Sequence, residues 1–302
     1  MPKAYDEGYL PKIGLHEVYY AQYGNPRGKP VLVCHGGPGG SSGAHKAKRF
    51  DLGRYRVIMI DQRGAGKSFP TGEIRENTTQ DLLFDMERLS VHLGLEQKII
   101  LCGDSWGSTL ALLFAEKHPE KTEALLLSKI FLADKTAVQW AENECGQLFY
   151  PDFYEDLQRD VPSGMSAAAY YARKLDEDDA QEQALAVGKY GKFERILGSL
   201  QPQWTLSSVV DPYEAAMVKI YAHYAQNGYF LENEEIMKNV HTLEKIPTLL
   251  VHNRLDMLCP PIGAWELHKK LPLSKLVFVG ELGHVGPKIT QILKKEIGAF
   301  LK

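Results

Sequence analysis

The chain carries six short runs of hydrophobic residues that are continuous and do not alternate with polar positions. Each run is four or five residues long. A run of this length and continuity is typical of a strand that is buried on both faces, as in a parallel sheet. The runs cover residues 30–34 (PVLVC), 57–60 (VIMI), 98–102 (KIILC), 124–127 (ALLL), 248–251 (TLLV) and 276–279 (LVFV).

Helical patterns separate these predicted strands. Thr78, followed three residues later by Asp81, predicts a capped helix start, and the leucines after it fall on one stripe. Residues 264–271 and 289–301 also predict helices. Strands that alternate with helices indicate an α/β fold, with a mostly parallel sheet and helices on both of its faces. Residues 18–23 are predicted to add an antiparallel strand at its edge.

The alternation stops after Leu127. Residues 132–240 show helical patterns and no convincing strand, and they contain nine of the 15 tyrosines. The strand pattern then resumes. We therefore predict a core formed by residues 1–131 and 242–302, with a helical cap of residues 132–241 inserted between two strands of one sheet.

Composition and charge narrow the partners and the compartment. The 302 residues have a net charge of −3 and no basic block, which argues against nucleic acid or a membrane surface as a partner. No hydrophobic run approaches the roughly 18 residues of a membrane span. The first residues lack the apolar core of a signal peptide, so we expect a cytoplasmic protein. The four cysteines are far apart, which favours reduced thiols over a disulfide framework or a zinc site.

One serine lies between two glycines where a predicted strand meets a predicted helix. The segment GDSWGS, residues 103–108, follows KIILC and precedes TLALLF. Gly-x-Ser-x-Gly at such a junction is the nucleophile elbow, in which glycines permit a tight turn and the serine projects into a cleft. The pentapeptide alone is common by chance, and its position is what makes it informative. We predict that Ser105 is a nucleophile; the alternative is an ordinary glycine-rich turn.

A serine nucleophile needs a base and an acid that orients the base. In this type of fold the order along the chain is serine, acid, histidine. Asp256 follows the strand TLLV in HNRLDMLCP, and His284 follows the strand LVFV in GELGHVGP. Both lie in loops at the carboxyl ends of predicted strands, where ligands bind in open α/β sheets. We therefore predict the triad Ser105, Asp256 and His284.

Three other residues are weaker candidates for these roles. His252 ends its strand and is expected to be structural. His35 precedes the serine, which is the wrong order. Asp104 is adjacent to the serine and is too close to orient a base.

Backbone N–H donors for an oxyanion hole are predicted in the loop HGGPGG. One donor belongs to such a loop and the other follows the nucleophile, so we assign the N–H groups of Gly37 and Trp106. The alternative is a phosphate-binding loop. Neither GGPGG nor DQRGAGKS has the required spacing, because Asp61 occupies the position of the first P-loop glycine. Asp61 and Arg63 are instead expected to brace the oxyanion loop.

Five phrases of the sequence together resemble the proline iminopeptidase (prolyl aminopeptidase) branch of the α/β-hydrolases. They are HGGPGG, DQRGAGKS, GDSWGSTLAL, HNRLDMLCP and GHVG, and the resemblance covers nearly the whole chain. It is weakest between residues 164 and 213. It implies the same triad and the same oxyanion donors, together with release of N-terminal proline or a similar small residue from peptides or amides.

The sequence departs from the family where members hold the free ammonium of the substrate with two cap glutamates. Tyr221 stands where the first glutamate is expected. The second follows a Trp-x-x-Trp pair in the family, and neither the pair nor its glutamate is present around Trp204. A phenol cannot neutralise an ammonium, and burying an unpaired charge costs several kcal/mol. Another acid, such as Asp211 or Glu214, takes the role, or the substrate has no free amine.

The sequence thus predicts a serine hydrolase that acts through an acyl-enzyme and needs no metal or organic cofactor. Its substrate is a small peptide, amide or ester, with Tyr221, Trp204 and Cys259 lining the pocket. The leading function is an aminopeptidase for N-terminal proline. An esterase or amidase for a small apolar acyl group, and a ligand receptor without turnover, are the alternatives. The sequence does not determine the oligomeric state.

Overall fold

Each of the six hydrophobic runs forms a strand in the computed structural model of the chain. The structure describes residues 1–177, 179–200, 211–280, 283–286 and 289–302. Within them, the strands are β1 (Asp6–Tyr9), β2 (Tyr19–Gly24), β3 (Lys29–Cys34), β4 (Tyr55–Ile60), β5 (Ile99–Asp104), β6 (Thr122–Ser128), β7 (Thr248–Asn253) and β8 (Ser274–Val279).

Twelve α-helices lie in the same described ranges. They are α1 (Thr79–His92), α2 (Trp106–Lys117), α3 (Lys135–Gln139), α4 (Cys145–Phe149), α5 (Pro151–Gln158), α6 (Ala167–Asp176), α7 (Ala180–Ala186), α8 (Lys192–Ser199), α9 (Pro212–Gln226), α10 (Glu235–Asn239), α11 (Pro261–Lys270) and α12 (Ile289–Phe300). Two π-helical turns, Trp140–Glu144 and Val187–Gly191, join α3 to α4 and α7 to α8.

The eight strands form one sheet in the order β1-β2-β4-β3-β5-β6-β7-β8. The six strands from β3 to β8 are all parallel to one another. β2 pairs antiparallel with β4, as predicted, but it is not the edge of the sheet. That edge is β1, which pairs antiparallel with β2. The sequence of β1, DEGY, is mostly exposed, so it carries no hydrophobic signal.

Helices cover both faces of the sheet, because alternate residues of each buried strand point to opposite sides. In β3, Leu32 belongs to the core that packs under α1 and α2. Its neighbour Val33 belongs to a second core on the other face, which also contains Leu293 of α12. This double coverage explains why the strands are continuously hydrophobic and confirms the predicted mostly parallel sheet with helices on both faces.

The predicted capping box of α1 is present. The Thr78 hydroxyl accepts a hydrogen bond from the Asp81 backbone N–H, and an Asp81 carboxylate oxygen accepts one from the Thr78 N–H at 2.9 Å. Two of the N–H groups that a helix start leaves unsatisfied are thereby paired.

Between β6 and β7 the described residues form helices α3 to α10 and no strand. This segment contacts the core near the start of α1, where Thr79 Oγ1 donates to the Tyr229 carbonyl at 2.5 Å and the Tyr224 hydroxyl donates to Asn77 at 3.0 Å. The division of the chain at residues 131 and 241 stays a prediction. None of the described helices combines the length and the hydrophobicity that crossing a membrane requires.

Glu116 on α2 gives a prediction about stability. Burial, with a smaller contribution from the charge of Glu235, raises the pKa of Glu116 from its ordinary 4.5 to about 8. Its Oε1 has no hydrogen-bond partner among the described residues. Since the folded chain holds the proton more tightly than the unfolded chain, this stabilising contribution is complete below the unfolded pKa and is lost as the pH rises through the folded pKa.

We therefore expect Glu116→Gln to melt at a higher temperature than the parent at pH 9 and at nearly the same temperature at pH 5. Thermal unfolding followed by circular dichroism measures this difference. The exposed Glu96→Gln serves as the control. An equal shift of Glu116→Gln at both pH values would mean that proton binding at Glu116 is not linked to folding.

Candidate active site

Ser105 lies at a strained turn between β5 and α2. Its φ of 57° and ψ of −128° are unusual for a residue with a side chain. A Cβ at Gly103 would lie 2.1 Å from the Gly107 carbonyl oxygen, and a Cβ at Gly107 would lie 2.2 Å from the Cys34 carbonyl oxygen. Only glycine fits at either position, which is the crowding that the Gly-x-Ser-x-Gly pattern predicts.

A buried ion pair between Asp104 and Arg49 stabilises the turn. Both carboxylate oxygens of Asp104 accept hydrogen bonds from Arg49 Nη1, at 2.8 and 2.9 Å, and the Ser128 hydroxyl donates to Asp104 at 2.7 Å. Burial opposes ionisation of Asp104, but the charges of Arg49 and Lys46 outweigh it and hold its pKa far below the usual range. Asp104 is thus committed to holding the elbow in place and does not orient a base.

The structure brings Asp256 and His284 together. His284 Nδ1 lies 2.9 Å from Oδ2 and 3.0 Å from Oδ1 of Asp256, and both side chains are buried. Because an ionised carboxylate only accepts hydrogen bonds, Nδ1 carries the hydrogen and Nε2 is left for another partner. The backbone N–H groups of Leu258 and Cys259 also donate to Asp256 Oδ1, at 3.1 and 2.9 Å. These contacts fix the orientation of the imidazole.

Asp256 stays ionised in this setting. Burial raises the pKa of the carboxyl group, but the nearby His284 and the hydrogen bonds to it outweigh that effect, and the pKa is lowered from its ordinary value. A buried carboxylate beside an imidazole stabilises the imidazolium that forms when the base takes a proton.

His252 is structural, as the sequence predicts, and His35 also has a structural role. The Ile130 N–H donates to His252 Nδ1 at 3.0 Å, and His252 Nε2 lies 2.8 Å from the Cys259 carbonyl oxygen. The Gln62 N–H donates to His35 Nε2 at 3.0 Å. Both rings are buried, and burial lowers both pKa values. Each ring therefore acts as a neutral connector between loops.

Ser105 and His284 both lie near the Cys259 thiol, but the described structure shows no hydrogen bond between them. In the described part of the chain, no hydrogen bond links Ser105 Oγ to His284 Nε2. The Cys259 thiol interacts with the Ser105 hydroxyl, and its sulfur lies within 4.8 Å of the donor atoms of His284 and Asp256. Catalytic hydrogen bonds often tighten only when substrate binds.

The two residues predicted to supply the oxyanion donors both lie next to Ser105, one in sequence and one across the cavity lining. Trp106 is the first residue of α2, and Gly37 lines the same cavity as Ser105. Neither backbone N–H has a hydrogen-bond partner in the described ranges. The glycine-rich loop passes close to the turn that carries the serine, since a Cβ at Gly36 would lie 3.2 Å from Ser105 Cβ. Two free donors close to a serine oxygen are the arrangement that an oxyanion requires.

The bracing of this loop is partly as predicted. Asp61 accepts a hydrogen bond from the Ser42 N–H at 2.7 Å, just after the glycine-rich segment. Arg63, however, makes no hydrogen bond or ion pair with the oxyanion loop among the described residues. Its guanidinium binds Asp85 of α1 at 2.6 and 3.1 Å. The prediction for Arg63 was therefore wrong, because its long side chain reaches past the loop to a buried acid that the sequence does not place there.

The cavity beside Ser105 is lined mainly by apolar and aromatic side chains and contains one carboxylate. Its lining consists of Gly37, Ser105, Phe131, Ala141, Glu194, Tyr221, Tyr229, Leu258 and Cys259. Two of the three predicted substrate-binding residues, Tyr221 and Cys259, belong to it. The third, Trp204, lies outside the described residues.

Glu194 of α8 is the residue that sequence reasoning missed. Its carboxylate has no hydrogen bond or ion pair within the described residues, and burial raises its pKa despite the nearby charges of His284 and Arg195. A signal for it existed: Tyr190 and Phe193 precede it with the aromatic-x-x-aromatic spacing expected before the second family glutamate. The pattern is hard to recognise because Tyr190 and Phe193 replace the tryptophan pair of the family and lie well before Trp204.

Asp211 and Glu214, the acids proposed from the sequence as replacements, lie elsewhere. Asp211 caps α9 by accepting from the Tyr213 N–H at 2.9 Å, and it is exposed. Glu214 pairs with Arg195 at 2.6 Å. Both line a different cavity, next to Gly39 of the oxyanion loop.

A metal site is a poor description of the Asp256, Cys259 and His284 cluster. Burial raises the pKa of the Cys259 thiol well above its ordinary value, whereas metals bind the thiolate. His284 Nδ1 and the Asp256 carboxylate are already paired with each other. Asp256 and Cys259 are therefore better suited to surround the His284 imidazole than to bind a metal cation together with it.

Comparisons with known proteins identify the fold. The α/β-hydrolase fold family matches residues 29–287. Among solved structures, an α/β-hydrolase from a deep-sea metagenome library has a TM-score of 0.66 at 17% identity and covers 96% of this chain and 97% of its own. A bromoperoxidase from Bacillus anthracis has a TM-score of 0.60 at 20% identity and covers 98% of this chain and 99% of its own. At these identities the likeness shows the fold alone.

Curated relatives narrow the family. A probable proline iminopeptidase from Leptolyngbya boryana is 38% identical over 286 residues, which cover 93% of this chain and 88% of the relative. A proline iminopeptidase from Arabidopsis thaliana is 37% identical over 288 residues, which cover 93% of this chain and 75% of the relative. This chain belongs to the proline iminopeptidase family of α/β-hydrolases.

Proposed function

We propose that this protein is a serine hydrolase that releases N-terminal proline, or a similar small residue with a free amine, from peptides or amides. The observation that carries the proposal is Glu194. A partly buried carboxylate that makes no hydrogen bond or ion pair within the described ranges lies in the same cavity as the candidate nucleophile Ser105. Withdrawing an unpaired charge from water is costly, and a substrate that closes this cavity would bury Glu194 further, so its presence in the cavity of Ser105 argues for a cationic substrate group that pairs with it.

The acyl-transfer chemistry follows from the neighbours of Ser105. In this proposal His284 Nε2 takes the proton as the Ser105 oxygen attacks the substrate carbonyl, and it then gives the proton to the leaving amine. Asp256 holds the imidazole through Nδ1. Water attacks the acyl-enzyme in the second half of the reaction. The N–H groups of Gly37 and Trp106 stabilise the oxyanion, each contributing roughly 3–4 kcal/mol in the transition state.

The side chains that line the rest of the cavity have the chemistry that a small ring with an ammonium requires. Phe131, Leu258 and Ala141 provide apolar contact on the same cavity as Glu194. An apolar pocket with one charged group fixes the orientation of a ligand as well as its identity. With its ammonium at Glu194 and its carbonyl at Ser105, N-terminal proline satisfies both groups.

The test is a comparison of three substrates: proline β-naphthylamide, N-acetyl-proline β-naphthylamide and p-nitrophenyl acetate. We expect turnover of the free-amine substrate and little turnover of its acetylated form. If the acetylated amide or the ester is hydrolysed and the free amine is ignored, the protein is an esterase or amidase. A single burst without steady-state turnover would instead indicate a ligand receptor.

Glu194→Gln tests the residue that carries this proposal. The substitution keeps the side-chain shape and removes the charge, so we expect kcat/KM for proline β-naphthylamide to fall by roughly 100-fold or more, as for an unpaired buried ion. Hydrolysis of p-nitrophenyl acetate, which has no ammonium, is expected to stay within about twofold. The control is Glu155→Gln, an exposed cap glutamate. Equal losses on both substrates would assign Glu194 a structural role.

The esterase alternative has one observation in its favour, which is the tyrosine at position 221. A site with a single carboxylate binds an amine more weakly than a site with the two cap glutamates that other family members carry. The substrate comparison decides between the alternatives without any variant.

We also propose a class of substrate and the redox state of the compartment. Small peptides are the proposed substrates. The four cysteines are free and buried, which is compatible with a reducing compartment such as the cytoplasm.

A further inference from the structure

Tyr221 does not face the cavity alone, because it is hydrogen-bonded to a second glutamate. Its hydroxyl donates to Glu142 Oε1 at 2.7 Å, and the Tyr190 hydroxyl donates to Glu142 Oε2 at 2.8 Å. Glu142 lies in the π-helical turn Trp140–Glu144, directly after the cavity residue Ala141. One oxygen of the Glu142 carboxylate thus accepts a hydrogen bond from a phenol of α9. The other oxygen accepts one from a phenol of the second π-helical turn, Val187–Gly191.

Nothing cationic compensates this carboxylate. Among the residues that the structure describes, Glu142 makes no ion pair with lysine, arginine or histidine. Burial raises its pKa against the effect of the two phenols, and the charge of Glu194 raises it further. Glu142 and Glu194 therefore influence each other electrostatically, and among the described residues neither forms an ion pair with a cationic side chain. A cation that enters the cavity relieves both.

The phenol of Tyr221 can relay this charge. A hydroxyl that donates its hydrogen to a carboxylate still has lone pairs on its oxygen, and the bond to the carboxylate makes that oxygen a better acceptor. Tyr221 lines the cavity, whereas Glu142 stands behind it. The Tyr221 oxygen at the cavity wall is therefore polarised by the Glu142 carboxylate, which lies one hydrogen bond behind it.

We propose that Glu142, acting through Tyr221, is the second acid of the amine site, moved from α9 to the turn after α3. In this arrangement the ammonium donates one N–H to Glu194 and another to the Tyr221 oxygen. Tyr221 touches the substrate, and Glu142 is a positioning residue that supplies the charge which the phenol lacks. This inference rests on the proposed aminopeptidase function.

Two acceptors match the chemistry of an N-terminal imino acid. The ring nitrogen of proline, when protonated, carries two N–H donors, whereas a primary ammonium carries three. A third donor buried without an acceptor is costly. The Glu194 and Tyr221 pair thus favours a secondary over a primary ammonium, and proline β-naphthylamide over alanine β-naphthylamide.

Glu142→Gln tests the role of the charge. We expect KM for proline β-naphthylamide to rise by about 10- to 100-fold with kcat within about threefold, because binding is weakened while the acyl-transfer groups are untouched. Hydrolysis of p-nitrophenyl acetate should remain within twofold. Glu144→Gln, an exposed glutamate of the same turn, is the matched control and should equal the parent. A parallel loss on the ester, or an unchanged KM for the amide, overturns the proposal.

Tyr221→Phe and the double variant Glu142→Gln/Tyr221→Phe test whether Glu142 acts through the phenol. If it does, the double variant loses no more than the worse single variant, because both substitutions break one relay. Losses that multiply would show that Glu142 acts independently and would overturn the relay. Tyr221→Phe keeps the packed ring, so this part remains decisive if Glu142→Gln folds poorly.

A relocation variant provides a positive result. Tyr221→Glu combined with Glu142→Gln restores one carboxylate at the cavity wall and removes the one behind it. We expect at least tenfold recovery of kcat/KM for the amide relative to Glu142→Gln, and the absence of recovery would count against the inference. Parent enzyme that hydrolyses only the ester refutes the proposed function itself, whereas parent enzyme that is active on the amide with an unaffected Glu142→Gln refutes only this inference.

Discussion

Ser105→Ala is expected to reduce kcat/KM for proline β-naphthylamide by roughly 10⁴- to 10⁶-fold, the scale on which removal of a serine nucleophile acts in other serine hydrolases. The residual rate comes from the oxyanion donors and the cavity. Alanine and serine both have a Cβ, so the strained backbone with φ of 57° is equally costly for both. Thermal stability should therefore change little, which separates lost chemistry from lost folding.

The measurement is steady-state hydrolysis together with a melting curve. Ser163→Ala, at an exposed position, is the control and should be fully active. Residual activity above about one per cent of the parent would contradict the assignment and would point to another nucleophile. The nearest is Cys259, but burial raises the pKa of its thiol and leaves little thiolate. A Ser105→Ala/Cys259→Ala variant identifies that source directly.

Arg49→Met is expected to destabilise the protein by about 3–5 kcal/mol, the cost of leaving a buried charge without its partner. Arg49 and Asp104 are 6% and 6% exposed. Lys46 remains 3.6 Å from Asp104 and compensates only in part. Because Asp104 lies next to the nucleophile, we expect activity to fall before global unfolding as the elbow loses its support.

Chemical denaturation measures the free energy of unfolding, with the exposed neighbour Lys48→Met as the control. The pKa of Asp104 is lowered in the folded protein, so the contribution of the pair is present above the ordinary aspartate range and is lost as the pH falls. The gap between parent and Arg49→Met should narrow accordingly in acid. Adding Asp104→Asn to Arg49→Met should recover part of the stability. A gap below about 1 kcal/mol at neutral pH would show that the pair is not needed.

The predictable parts of the molecule are those in which local sequence determines geometry. The elbow could be predicted because its Gly-x-Ser-x-Gly pattern is local: Gly103 is required by a contact within the strand-to-helix turn, and Gly107 by the close approach of the end of β3. Asp256 and His284 could be predicted because the carboxyl ends of parallel strands share one edge of a sheet. In each case the chain leaves few alternatives within a few residues.

The parts that could not be predicted depend on contacts between distant segments. Glu142 and Tyr221 are 79 positions apart, and no local pattern indicates that their side chains meet. Arg63 was misassigned because its partner Asp85 lies on a helix whose angle to the loop is a tertiary property. The strand β1 was missed because an exposed edge strand needs no hydrophobic side chains.

The two π-helical turns have an evolutionary consequence. A π turn corresponds to one extra residue in an α-helix, and one residue rotates everything beyond it by about 100° around the helix axis. One turn contains Glu142 and the other contains Tyr190, the two ends of one hydrogen bond. A single-codon insertion or deletion in either turn is thus enough to swing a charged side chain toward or away from the cavity. Related enzymes could acquire a different substrate preference by such a step while the sheet and its catalytic loops are inherited unchanged.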